Sequence, residues 1–430
     1  MYSVDHVPRS ADVASIPSAI ASPRGKILLF SYAFPPMQVQ MTPAVFKPMA
    51  AIAQQGYSVD VLCADSFCPE LPLDNSLLPH SEETFSNITR LSPPRDAISW
   101  LQRKSRVFSR MPDLMTVLHR SAYSHLMDLD LSDYDAVMTW SPFHSINPVM
   151  VRVKKARKNV RWIAQFSDPW AGNPLEVSRL TKMWNRRHEP ETVDAADYIV
   201  HSSAYSLDIM LSGHSPELRK KTDVLPHVFN TDLYPKRPKA KNEKIVLRYV
   251  GVLYGRRTPE PVFAALNMLF SRRKDLRELL VVELIGQVSK EMLESESAYA
   301  LPTGMVRNIP NVSYLQSLEL MYDADILLLI EADVRQNLFL PSKISDYIGA
   351  NTPIVGLVPP GASEDAMVGL GGWHSPPSDV IAISNSIENA VDHVMNKNDA
   401  SWFDSIFRQK FDGAHVAQRF IEIAERIKLS

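Results

Sequence analysis

Cysteine is scarce in this chain: Cys63 and Cys68 are the two thiols in 430 residues. Two cysteines build no disulfide framework and fit a reducing cytoplasm. Their C-x4-C spacing matches half a zinc site, but no second ligand pair follows, so they read as ordinary residues near a strand end. Charge of one sign is lacking too. A formal net charge of −2 leaves no global attraction to nucleic acid. No stretch of 18 apolar residues occurs, so no membrane-spanning helix is expected. The first 25 residues carry Asp5, Asp12 and scattered prolines without an apolar h-region, and read as a disordered lead-in (1–25) rather than a signal peptide. A P-loop and a GxGxxG fingerprint are also missing, so any nucleotide has to be held by another device.

What is present is a repeated α/β pattern. Apolar residues make up 45% and charged residues 22%, as in a soluble globular protein, and the length suits two or three domains. Apolar runs of strand length alternate with helical patterns twice over. The first series is KILLFSY, SVDVLCA, YDAVMTW, VRWIAQF and DYIVHSS, closed by DVLPHVF. The second is KIVLRYVGV, LLVVELIG, VSYL, DILLLIE and PIVGLV. Continuous apolar runs between helices predict buried parallel strands and βαβ units. Two Rossmann-like doubly wound domains follow, over 26–233 and 245–405. The basic, proline-containing YPKRPKAKNEK (234–244) links them. In such sheets ligands bind beyond the carboxyl ends of the strands. Two facing domains would therefore make a cleft, and the loops after the strands matter most.

Residues 340–361, LPSKISDYIGANTPIVGLVPPG, carry the most chemistry. Ser342 is the expected N-cap of a helix with Lys343 in its first turn. A lysine beside a helix N-terminus suits a phosphate or pyrophosphate. Asp346, three residues on, shares that face and can take sugar hydroxyls. The loop Gly255–Arg256–Arg257 follows the strand LRYVGVLY, with Pro259 expected at the first helical position. Arg256 or Arg257 can fork onto phosphate oxygens. In the first half, Asp168 of SDPW leaves its strand before a proline, which favours extended backbone and presentation toward the cleft. Trp170 can stack on a sugar, and His144 of SPFHS follows another strand. Gln38 and Gln40 of AFPPMQVQM can donate to an acceptor atom. The stretch 98–126 mixes Arg103, Lys104, Arg106 and Arg110 with Trp100 and Phe108, and Lys154, Lys155, Arg157 and Lys158 form a second basic cluster. Either suits an anionic lipid surface as well as a solvated face.

PSKISDYIGANTPIVGLVPPG resembles the donor-binding segment of family 4 glycosyltransferases of the GT-B fold, and five further segments resemble theirs in the expected order. These are KILLFSYAFPP, WIAQFSDPW (the DPW signature of bacterial polysaccharide enzymes), ADYIVHSS, LRYVGVLYGRRTPEPVFAAL and MYDADILLLIE. The resemblance implies a retaining, metal-independent hexosyltransferase with no cofactor. Its second domain would hold a nucleotide diphosphate sugar through Gly251, Arg256, Arg257, Ser342, Lys343 and Asp346, the last on the ribose. Catalysis would involve Asp168, His144, Lys343 and Arg257. Its first domain would take a glycan or polyprenyl-diphosphate-linked acceptor. The C-terminal helix (406–430) would cross back to the first domain. The enzyme would be cytoplasmic, peripheral on the inner face of the membrane, without nucleic acid as a partner. Two positions depart from the family pattern. Val252 stands where a basic residue is common, and Leu338 stands where the first glutamate of an E-x7-E pair belongs, with Glu331 or Asp333 as substitutes. A nucleotide-sugar epimerase and a catalytically degenerate GT-B module share the same pattern.

Overall fold

The structure, a computed structural model, describes residues 23–66, 71–96, 111–396 and 401–429. Arg103, Lys104, Arg106 and Arg110 lie outside the described residues, as does Cys68. The first half forms β1 (Gly25–Phe30), β2 (Tyr57–Ala64), β3 (Asn87–Leu91), β4 (Ala136–Trp140), β5 (Trp162–Phe166), β6 (Tyr198–His201) and β7 (Thr222–Val224). The second forms β8 (Ile245–Val250), β9 (Leu280–Ile285), β10 (Val306–Ile309), β11 (Ile326–Ile330), β12 (Ile354–Leu357) and β13 (Trp373–Ser375). The sheet orders are β3-β2-β1-β4-β5-β6-β7 and β10-β9-β8-β11-β12-β13. Every pairing in both sheets is parallel. Both orders reverse beside their first strand, the switch point at which doubly wound sheets open a crevice.

The apolar runs become central strands because helices cover both faces of a parallel sheet. All five residues of β4, β5 and β11 are buried. Arg248 interrupts β8, but its register partner in β9 is Glu283, and its Nε and Nη2 bond that carboxylate at 2.9 and 2.5 Å. One expected strand is corrected. VSYL enters the helix Tyr314–Tyr322, whose cap Ser313 accepts from the Gln316 amide. The strand there is β10, just upstream. Its VRNI sequence lacks the apolar run that marks a central strand, because β10 lies at the sheet edge.

The helices that matter for the cleft are α1 (Thr42–Gln54), α2 (Ile146–Ala156), α3 (Arg179–Ala195), α4 (Ala204–Leu211), α5 (Glu260–Arg272), α6 (Tyr314–Tyr322), α7 (Ser342–Gly349) and α8 (Gly413–Leu429). Helix α8 lies on the first domain. Its Val416, Ala417, Phe420 and Ile421 join Val45, Met49 and Ile52 of α1 in one core, and Phe420 meets Trp140 at a ring separation of 5.6 Å. Phe229 and Tyr234, just before the crossover, pack with residues of the second domain.

The domains are joined by polar bonds as well. Lys47, near the middle of α1, is 1% exposed, and its ammonium lies 2.5 Å from Oδ1 of Asp346 in α7. The Tyr314 hydroxyl donates to the same oxygen at 2.9 Å. Asp74 accepts from the Tyr314 amide, and the hydroxyls of Ser203 and Ser206 both donate to the Leu338 carbonyl. The cluster 154–158, which suited a lipid surface or a solvated face, is half engaged by the fold, with Lys155 and Lys158 exposed. Lys154 pairs with Asp197, and Arg157 donates to the carbonyls of Leu129 and Met127.

Removing one partner of a buried ion pair strands the other charge, at a cost of about 3–5 kcal/mol. Lys47→Met should therefore lower stability against urea by about 3 kcal/mol. Combining it with Asp346→Leu should recover much of that loss. An unchanged unfolding midpoint in Lys47→Met would show that the pair does not hold the domains.

Candidate active site

A cavity of about 610 Å³ opens between the domains, beyond the carboxyl ends of β8 and β9. Two glycines shape its floor. Gly251, immediately after β8, has φ 134°, and a Cβ there would sit 2.5 Å from the Lys343 ammonium. Gly286, immediately after β9, has φ 123°, and a Cβ there would lie 2.1 Å from the Gly251 carbonyl oxygen. Positive φ and lack of room both require glycine. The two strand ends thus come together with no side chain between them, and Lys343 lies across them.

Lys343 donates to the Tyr249 hydroxyl at 2.9 Å and rests 4.0 Å from the centre of its ring. Burial, and next the nearby Arg257, push its ammonium down to about 7. Arg257 lines the same cavity, its guanidinium 5.3 Å from the ring centre of Tyr254, whereas Arg256 is exposed and outside it. Of the two arginines left open by the sequence, Arg257 is the one brought to Lys343. Ser342 also lines the cavity but is the first helical residue. The cap of α7 is Pro341, with extended backbone and no side-chain bond. Likewise Pro259 caps α5 rather than opening it, and Pro261 takes the early helical position.

Asp346 forms part of the wall. Its Oδ1 takes Lys47 and Tyr314, and its Oδ2 accepts no hydrogen bond among the described residues. The facing wall comes from the first domain and includes Gln38, Gln40 and Thr42. Glu331 does not line the cavity. It is buried, with one oxygen taken by Ser363 and the other by Asn337, and burial raises its carboxyl pKa. Asp333 is exposed. The charges of Arg257 and Lys343 nevertheless reach Glu331 and oppose the effect of its burial.

His144 and Asp168 are not brought to this cavity. They line a separate depression of about 210 Å³ in the first domain, at the ends of β4 and β5. The His144 ring stacks on Trp170 at 4.9 Å and on Phe166 at 6.1 Å, and burial pushes it down to about 3. It is a neutral packed ring. Trp170 is 1% exposed and donates its indole N–H to Asn185, so it serves packing rather than sugar stacking. Asp168 is accessible, yet the crowded depression raises its carboxyl to about 6. It has no hydrogen bond or ion pair among the described residues. No group of three or more His, Cys, Asp or Glu among the described residues is placed to hold a metal ion.

Sequence reasoning missed Lys47, Tyr249, Gly286 and Tyr314. A lysine inside the apolar helix TPAVFKPMAAIAQ and a glycine ending LLVVELIG were the available signals.

No family model matches the chain, and no curated protein matches it in sequence. Its backbone resembles solved glycosyltransferases. A glycosyltransferase from Rickettsia africae superposes with a TM-score of 0.64 at 12% identity, covering 94% of this chain and 99% of that one. HepE of Anabaena, solved in complex with UDP and glucose, gives 0.61 at 14% identity over 94% and 100%. Sucrose-phosphate synthase from Thermosynechococcus elongatus gives 0.58 at 16% identity over 94% and 99%. At such identities the shared property is the fold, which is GT-B: two Rossmann-like domains facing across a cleft.

The depressed Lys343 sets a pH dependence. A diphosphate beside it favours the charged form and raises its pKa in the complex. Binding is then strongest below about 7, where the lysine is already protonated, and costs a proton uptake above it. Affinity for a nucleotide diphosphate sugar should weaken roughly tenfold between about pH 7 and 8.5, with up to one proton taken up. Lys343→Arg should flatten this dependence. Calorimetry in buffers of different ionisation enthalpy measures both, and a flat profile in the unmodified protein would contradict the assignment.

Proposed function

We propose that the protein is a retaining glycosyltransferase, resembling family 4, that moves a sugar from a nucleotide diphosphate sugar to a glycan or polyprenyl-diphosphate-linked acceptor in cell-surface polysaccharide assembly. One observation carries the reading: Lys343 and Arg257 converge over a side-chain-free floor inside a cavity that both domains wall. Two cations and a helix N-terminus in a confined site suit a diphosphate. HepE, of the same fold, is a structure with UDP and glucose.

In the proposed reaction the anomeric C–O bond to the diphosphate breaks through an oxocarbenium-like transition state, the acceptor hydroxyl oxygen bonds the anomeric carbon, and its proton passes to the leaving phosphate. Negative charge grows on the departing phosphate oxygens. Preorganised cations aimed at that charge stabilise the transition state more than the substrate. Lys343 and Arg257 fill this role and no metal ion is assigned a part. Asp346, whose Oδ2 accepts no hydrogen bond among the described residues, takes a hydroxyl of the nucleotide's ribose in this reading. Asp168 serves the acceptor, as a carboxylate with no ion pair among the described residues in a polar depression.

A thermal-shift screen of nucleotide sugars identifies the donor, since a ligand of the native state raises stability. Transfer to a lipid-linked or oligosaccharide acceptor is then assayed, with and without EDTA. Lys343→Ala should cost about 2–4 kcal/mol across donor binding and turnover. Asp168→Asn should cut transfer far more than donor affinity. A protein that binds no nucleotide sugar, or that loses its activity in EDTA and regains it with magnesium, contradicts the proposal.

A further inference from the structure

Four of the large apolar side chains that face solvent fall in one short stretch beside the Asp168 depression. Leu175 is 70% exposed, Val177 87%, Leu180 53% and Met183 68%. A single exposed leucine needs no explanation, but a cluster does. Leu175 and Val177 lie in the loop before α3; Leu180 and Met183, three apart, share a face of its first turns. The opposite face buries Asn185, Glu189, Thr192 and Val193. The exposed face carries Arg179, Arg186 and Arg187 among and beside the apolar tips, with Lys182 at its flank. None of these four cations has an ion pair among the described residues. The neighbouring carboxylates are otherwise engaged: Glu176 accepts from the Ser178 amide, Glu189 from the Ala171 amide, and Glu191 faces His188.

We propose that residues 175–187 dock the protein on an anionic lipid surface. Exposed apolar tips ringed by unpaired cations suit the headgroup boundary of a bilayer, where the tips enter and the cations meet phosphates. A second copy fits less well, because a two-fold contact would set this cationic row against its own duplicate. The proposal deepens the transferase reading and rests on it for what docking delivers. Glu176, Thr181 and Asn185 of this segment also line the depression that holds Asp168. A sugar tethered to a lipid could reach that carboxylate while its chain stays in the bilayer.

The test is co-sedimentation of the full chain with phosphatidylcholine vesicles containing either no phosphatidylglycerol or 40% phosphatidylglycerol (a chosen composition, on the order of that in anionic model membranes). The protein should bind the anionic vesicles and leave the neutral ones, and high salt should weaken binding. The pairs Leu180→Ser with Met183→Ser, and Arg186→Gln with Arg187→Gln, should each cut the binding constant about tenfold or more. Their thermal melts and nucleotide-sugar shifts should match the parent, since these side chains face solvent. Binding that ignores lipid charge, binding that survives both pairs, or no binding by the parent overturns the proposal. So does a dimer that either pair abolishes, which would assign the face to a second copy. Vesicle binding needs no donor. A protein that binds vesicles but no nucleotide sugar therefore sinks the transferase reading and leaves docking, and the converse result does the opposite.

Discussion

The buried contact between Lys47 and Asp346 is the constraint on which the cleft depends. An ammonium inside an apolar helix is tolerated only with a close anion and further hydrogen bonds. Here the anion comes from the other domain, almost three hundred residues away in sequence. The carboxylate in turn accepts from Tyr314, and its own main-chain carbonyl accepts from the Tyr234 hydroxyl. Helix α7 is thereby fixed against α1. Because Lys343 sits one turn before Asp346 on that helix, the same contact fixes where Lys343 stands in the cleft. Asp346 thus belongs to both cleft and assembly: its Oδ1 ties the domains, and the residue lines the cavity.

The rest of the site follows from removing side chains as much as from placing them. Gly251 and Gly286 clear the ends of β8 and β9, and Lys343 occupies the space that a Cβ at Gly251 would take. The lysine is held there by the Tyr249 hydroxyl and ring, in a place where burial disfavours its charge. An anion is what restores that charge, so a site of this kind is tuned to its ligand by desolvation. At the ends of β4 and β5 in the first domain the chemistry inverts. Asp168 carries a raised carboxyl in a depression whose histidine, His144, is neutral and packed.

Much of the architecture was legible in the apolar runs, because central parallel strands are buried on both faces and need no polar alternation. The edge strands β3, NITRL, and β13, WHS, were not, since an edge needs no such run. VSYL shows how a short apolar stretch serves a helix when a capping serine precedes it. Gly251, Ser342 and Lys343, expected at a ligand site, all line the cavity, whereas the choice between Arg256 and Arg257 came only with the fold. Lys47 and Tyr314 were not, because their meaning lies in a partner that only the folded domains supply. Sequence could not separate structural from solvent-facing cations: Lys154 and Arg157 are occupied by the fold, while Arg179, Arg186 and Arg187 have no ion pair among the described residues.

The central claim is that a nucleotide diphosphate sugar lies between the domains with its diphosphate on Lys343 and Arg257. A structure of the protein with the donor found by screening tests it most directly. The account predicts phosphate oxygens within hydrogen-bond distance of the Lys343 ammonium and the Arg257 guanidinium, above Gly251 and Gly286. A nucleotide bound elsewhere, or one whose phosphates avoid both cations, would contradict it.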